Sequence, residues 1–182
     1  QPRQFGRALN GHPAIRLDGK KDFLRTESGA GHLGGDFTMV LVLQFNELAR
    51  HQMALMWGDE SQGKRRAFWK TDRNKLSFNG YGADVVGSAN LKQSVPVVAI
   101  ITQQGENNDT RFRLNGKDGG GGGVNLSGFQ NKAITIGANN AGAEKTAADF
   151  AEILVYNRAL DATEQAAVGF HFGTKYSIDG EW

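Results

Sequence analysis

The chain of 182 residues contains no cysteine. Disulfides, thiolate metal sites, iron–sulfur clusters and cysteine nucleophiles are therefore excluded together. The compartment stays open, because an extracellular domain of this length can fold on an ordinary core. No stretch approaches the roughly 18 consecutive apolar residues of a membrane span, so membrane insertion is not expected. Charge of one sign is also scarce: 21 Lys and Arg against 19 Asp and Glu leave a net +2. Nucleic acid is then not an expected partner, since it calls for a strong basic excess or stripe. Only 3 prolines occur, whereas glycine is abundant at 25 residues, about twice its usual share of roughly 7%. That composition suits many short strands joined by tight turns. The length fits a single domain over residues 1–182. The chain opens Gln1-Pro2-Arg3, with neither Met nor a positively flanked apolar stretch. We expect a removed leader or a module taken from a larger protein.

Strand signals recur at short intervals. In DFTMVLVLQF (36–45), Phe37, Met39, Leu41, Leu43 and Phe45 fall on one face and Thr38, Val40, Val42 and Gln44 on the other. Apolar residues on both faces predict a central strand. VPVVAIIT (95–102) has the same doubly apolar character. Further strands are expected at 14–17, 52–57, 65–71, 75–81, 110–115, 133–137 and 150–156, with turns such as Asp18-Gly19 and Asn115-Gly116 between them. Nine or ten short strands at this spacing predict an all-β antiparallel two-sheet sandwich or jelly roll. The glycine run 119–123 has no Lys-Ser/Thr after it and is read as a mobile loop tip, not a phosphate loop. One short C-terminal helix is expected. Asp161 and Glu164 have capping-box spacing, and Val168, Phe172 and Tyr176 repeat every four residues, although Gly169 and Gly173 weaken its interior.

Five segments, in order, resemble one known family. The segment 151–160, AEILVYNRAL, followed by an acid-capped helix, resembles the closing signature of laminin G-like jelly rolls. LNGHPAIRLDG (9–19), DFTMV (36–40), RFRLNGK (111–117) and ITIG (134–137) resemble its earlier strands. The resemblance runs from about Leu9 to Ile178 and implies the concanavalin A-like lectin/glucanase fold. Its members include glycan-binding modules, calcium-dependent lectins, adhesion modules, glycosidases and lyases, so it implies a fold more than a function.

The residues narrow the chemistry. Glycosidases of this kind carry E-x-D-x-E triplets on one strand, where alternation brings two carboxylates together. No such triplet exists here, and Glu152 stands between Ala151 and Ile153. A lyase would need a Tyr or His base and a uronate neutraliser; Tyr81, His51, Gln44, Arg111 and Arg113 have the right types in no readable arrangement. His12, His32, His51 and His171 are dispersed without metal-ligand spacing. The resemblance implies that a structural calcium is compatible with this fold. Asp18, Asp149 and Glu152, with Asp22 and Glu27 nearby, are its candidate ligands if the chain ends pack side by side. No other cofactor is expected.

For sugar binding, strand parity turns Trp69 and Arg65 outward if Phe68 points in, and Asn79 and Tyr81 outward if Leu76 and Phe78 point in. Arg111 and Arg113 face outward by the same rule. If these strands are neighbours, one face combines aromatic surface with cations that read carboxylate or sulfate. The leading expectation is a non-catalytic carbohydrate-binding module, secreted, surface-bound or periplasmic, directed to a glycan that includes anionic polysaccharide. The alternatives are a protein-adhesion or spacer module with an extracellular protein partner, and a lyase or glycosidase.

Overall fold

The computed structural model describes residues 1–29, 33, 35–105, 109–128 and 133–182. Thirteen strands form: β1 (Arg3–Leu9), β2 (His12–Asp18), β3 (Leu24–Gly29), β4 (Phe37–Phe45), β5 (Gln52–Gly58), β6 (Arg65–Lys70), β7 (Lys75–Asn79), β8 (Asp84–Asn90), β9 (Val97–Gln104), β10 (Asp109–Leu114), β11 (Lys117–Gly123), β12 (Ala133–Ile136) and β13 (Ala147–Tyr156). One helix, α1 (Ala162–Tyr176), follows. The strands make a seven-stranded sheet, ordered β1-β2-β13-β4-β9-β10-β11, and a six-stranded sheet, ordered β3-β12-β5-β6-β7-β8. The expected antiparallel sandwich with a C-terminal helix is what the chain adopts.

Alternation along β4 decides how the layers stack. Phe37, Met39, Leu41, Leu43 and Phe45 enter the core between the sheets, beside Trp57, Phe68, Phe78 and Phe112. Val40 and Val42, on the reverse face, pack with Val98 and Ile100 of β9 against Phe172 and Tyr176 of α1. The doubly apolar strands are thus central strands buried on one side by a sheet and on the other by a helix. Asp161 caps α1 by accepting from the Glu164 backbone N–H, while the Glu164 side chain accepts from the Asp161 backbone N–H. Arg158 also grips Glu164 at 2.6 and 2.7 Å. Those two hydrogen bonds, from Arg158 and then from the Asp161 backbone, hold the Glu164 carboxyl down to about 2.

The two helix glycines have a packing reason. A Cβ at Gly169 would lie 2.4 Å from the Trp182 ring, and one at Gly173 would lie 2.6 Å from it. Alanine at 173 would gain about 1 kcal/mol in helix propensity, but displacing the indole costs roughly 1–3 kcal/mol. Gly173→Ala is expected to lower the melting temperature, and the same change in a Trp182→Ala background to raise it or leave it level. A destabilisation of equal size in both backgrounds would show that the indole is not the cause.

The glycine run corrects an expectation. Instead of a mobile tip it forms most of β11, the edge strand paired with β10. A Cβ at Gly121 would sit 2.1 Å from the Thr110 carbonyl oxygen, and one at Gly119 would sit 3.0 Å from the Phe112 Cβ. The strand lies too close to β10 for side chains at those positions.

Candidate functional site

With α1 on the seven-stranded sheet, the outer face of the six-stranded sheet is left to loops, which bury much of it. Its floor comes from the parity of β5 and β6: Met53, Met56 and Ala67 are fully buried, and half-buried Trp69 packs against them. His51 stacks on Trp69, ring centroids 4.6 Å apart and 27° between planes. Neither the Trp69 Nε1 nor the His51 Nδ1 has a hydrogen-bond partner among the described residues.

Four residues back along β6, Arg65 lies on the same face with its side chain only 5% exposed. Its Nη1 donates to Asn79 Oδ1 at 2.9 Å and lies 3.7 Å from Glu144 Oε2. Its Nη2 donates to Glu60. The Tyr81 ring covers the guanidinium, 4.8 Å from its centre, while the Tyr81 backbone N–H donates to Asn79 Oδ1 at 3.1 Å. Tyr81 at φ +60° and Gly82 at φ +75° are the two central residues of the tight turn from β7 to β8, closed by the Gly80 N–H donating to the Ala83 carbonyl at 3.1 Å, and such a turn sets positive φ at both positions. The turn leaves the tyrosine 43% exposed above the arginine.

Loops from the far side of the sheet complete the patch. Glu60 Oε1 accepts from the Asn140 backbone N–H at 3.1 Å, and the Asn140 side chain donates to the Gly58 carbonyl at 2.8 Å. Arg25 donates to the Asn140 carbonyl at 2.6 Å and to Thr135 Oγ1 at 3.2 Å. A recess of about 380 Å³ opens among Arg25, Asp59, Glu60, Ala133 and Asn140, within the size range of small-ligand pockets. The loops are anchored from inside. Arg66, on the inward parity of β6, donates to the Gly63 and Ser127 carbonyls at 2.9 Å each, and burial pushes its pKa down to about 10. Lys70 donates to the Leu48 carbonyl at 2.6 Å and to Asn74 Oδ1 at 3.1 Å; burial lowers its pKa as well.

Of the expected sugar-contacting residues, Trp69, Arg65, Asn79 and Tyr81 therefore share one face. Arg111 and Arg113 do not join them. They sit on β10, which pairs with β9 in the other sheet, and Phe112 between them points into the core. Arg111 is paired with Asp109 at 2.8 Å, and Arg113 donates to the Gly116 carbonyl at 3.2 Å. The grouping of six fails because sheet membership is set by long-range pairing, which parity does not encode. Glu60, Glu144, Asn140 and Arg25 were missed. Three of them stand in loops without periodicity, and the fourth is on a polar edge strand.

The expected calcium ligands do not fit a cation. The chain ends do lie side by side, with Ala147 opposite Asp18 and Asp149 opposite Arg16, but each carboxylate already holds protein donors. Asp149, fully buried, accepts both Nε and Nη2 of Arg16 at 2.6 and 2.8 Å and Gln44 Nε2 at 3.1 Å. Glu152 accepts from Lys175 at 2.6 Å and from Tyr176 at 2.8 Å. Burial alone would raise the Glu152 carboxyl, yet those two hydrogen bonds outweigh it and its pKa is lowered. Asp18 Oδ1 accepts three backbone N–H groups, from Lys20, Lys21 and Asp22, which hold its carboxyl well below the usual range. Among the described residues no group of three or more His, Asp or Glu is placed to hold a metal; His32 lies outside them. The lyase candidates are also separated, since Gln44 is bound to Asp149 on the opposite sheet from His51 and Tyr81.

A larger cleft, about 840 Å³, lies between β2, β13 and the end of α1. Its ionisable groups Glu152, Lys175 and Tyr176 bond one another. We give the outer face of the six-stranded sheet priority, because an exposed aromatic over a buried arginine and a recess lie together there.

Comparison with known proteins agrees with this architecture. The Laminin G 3 family model, described as Concanavalin A-like lectin/glucanases superfamily, matches residues 18–164. No curated protein matches the chain. The chain is similar in structure to the CBM40 of Ruminococcus gnavus IT-sialidase bound to alpha2,3 sialyllactose. That match has 14% identity and a TM-score of 0.66, covering 86% of this chain and 95% of the other. It is also similar to domain 4 of AbnA, a GH43 extracellular arabinanase from Geobacillus stearothermophilus, in complex with arabinotriose. Here the identity is 13% and the TM-score 0.71, over 93% of this chain and 81% of that one. Trypanosoma rangeli sialidase in complex with sialic acid matches at 14% identity and TM-score 0.69, over 92% of this chain and 28% of the sialidase. At such identities the likeness is one of fold. The family match, which spans most of the chain, and the two antiparallel sheets together place the protein: it belongs to the concanavalin A-like lectin/glucanase superfamily.

Proposed function

We propose that the protein is a non-catalytic carbohydrate-recognition module, secreted or surface-exposed, that binds a glycan on the outer face of its six-stranded sheet. The observation that carries this reading is Tyr81, an exposed aromatic held in a left-handed backbone conformation over a buried arginine. An aromatic face offers apolar surface to the C–H side of a sugar ring, and the neighbouring Glu60, Glu144 and Asn140 offer hydrogen bonds to its hydroxyls. Two structurally similar modules were determined with sialyllactose and arabinotriose, which supports a sugar ligand without choosing its charge. Glu60 and Glu144, the carboxylates that hold Arg65, are tied to the same guanidinium. Glycosidases instead set their acid and nucleophile in unlike surroundings, so recognition is favoured over hydrolysis. No helix among the described residues is long and apolar enough to cross a membrane.

The test is calorimetric titration with a panel of oligosaccharides, together with assay for released reducing ends. Tyr81→Ala is expected to weaken binding by roughly tenfold, about 1.4 kcal/mol, with no product formed by either protein. Binding that is indifferent to Tyr81→Ala would move the site elsewhere. Product release would make the protein an enzyme. Absence of binding across the panel would favour the protein-adhesion reading.

A further inference from the structure

The charge balance of this same patch bears on which sugars it suits, and the inference rests on the glycan-binding reading above. We propose that the face recognises an uncharged, hydroxyl-rich glycan and discriminates against uronate and sulfate polymers. An acidic sugar needs a cation with charge to spare and donors to offer. Arg65 offers little of either, since its one donor nitrogen without a partner, Nε, is buried. Its two terminal nitrogens are engaged by Asn79 and Glu60, with Glu144 at 3.7 Å from one of them, and its open side is covered by Tyr81. One guanidinium between two carboxylates leaves the cluster with a surplus negative charge. An incoming carboxylate or sulfate would meet Glu60 and Glu144, whose side chains are 31% and 32% exposed, before it reached the 5% exposed arginine.

The recess beside the cluster repeats the pattern. Arg25 directs Nε and Nη2 to Thr135 and Asn140, and it shares the recess with two carboxylates, Asp59 and Glu60, against its one charge. The arginines that suggested an anionic ligand, Arg111 and Arg113, belong to the opposite sheet. A hydroxyl fits where a carboxylate does not. It donates as well as accepts, whereas an ionised acid only accepts. The partly exposed oxygens of Glu60 and Glu144 are acceptors that favour a donor.

The experiment is affinity electrophoresis of the whole protein in gels containing arabinan, galactomannan or xyloglucan, and in gels containing polygalacturonate, alginate or dextran sulfate, each at low and high salt. Retardation by at least one neutral polymer, unaffected by salt, is expected, with none by the acidic polymers at high salt. Glu60→Gln combined with Glu144→Gln is expected to weaken neutral binding roughly tenfold and to introduce retardation by polygalacturonate, as Arg65 loses its counter-charges. Salt-resistant retardation of the native protein by an acidic polymer, lost in Tyr81→Ala, would overturn the neutral preference while leaving the sugar-binding face intact. Retardation by no polymer would overturn both.

Discussion

Trp57→Ala is expected to destabilise the protein by about 3–5 kcal/mol, the usual range for truncating a large buried aromatic. A typical domain has only about 5–15 kcal/mol in total, so this one change brings it near the unfolding threshold. Trp57 is fully buried and joins the two sheets: it stands on β5, and its ring meets Phe37 of β4 edge-on at 5.3 Å. Its indole N–H also donates to the Leu33 carbonyl at 3.2 Å. Alanine removes the bridge between layers and leaves a cavity that a two-sheet core closes poorly. Trp57→Phe separates the two contributions, since it keeps most of the volume and loses only the hydrogen bond, worth about 1 kcal/mol. Urea unfolding of both variants decides the matter. A loss for alanine no larger than that for phenylalanine would mean that the hydrogen bond, not the packing, carries the residue's contribution.

Removing Arg65 has the second-largest expected effect, and it reaches stability and binding together. Arg65→Met leaves Glu60 and Glu144 without their shared counter-ion, and breaking a buried pair from one side costs about 3–5 kcal/mol. Both glutamates are about a third exposed, so solvent screening reduces this to roughly 2–3 kcal/mol. Tyr81 loses the cation beneath its ring, and Asn79 one of its donors. Sugar binding should fall below detection. Combining Arg65→Met with Glu60→Gln and Glu144→Gln is expected to recover much of the stability, because the uncompensated charges are then gone, but not the binding. Denaturation midpoints for the single and triple variants test this directly. A triple variant no more stable than the single one would show that charge is not what holds the loops.

The elements that escaped sequence reasoning share one property. The strands β1, β3, β8 and β11 carry no expected segment, and they are the outer strands of the two sheets, both edges of each. An outer strand is paired on one side only and buries little, so its sequence is not forced to alternate; β1 is exposed along most of its length, and most of β11 is glycine. Inner strands such as β4 and β9 must be apolar to be inner, and their residues say so. The site divides in the same way. Trp69, Arg65 and Asn79 were legible because parity on β6 and β7 places them outward from a recognisable apolar face, whereas Tyr81, expected on the same strand, stands beyond β7 in the turn to β8. Glu60 and Glu144 were not, since their roles depend on where two loops 84 residues apart meet. Nor could parity reveal that Arg66 and Lys70 bury their charges inward against backbone carbonyls.

The helix laid across one sheet gives the molecule a top and a bottom. Since α1 occupies the outer surface of β4 and β9, a copy settling on a polysaccharide fibre through its other sheet can do so only one way up, with the helix turned to solvent. On the glycan-binding reading proposed above, such a particle has a valency of one. Single copies would coat a fibre without bridging it to its neighbour, and any agglutination would require several copies joined together.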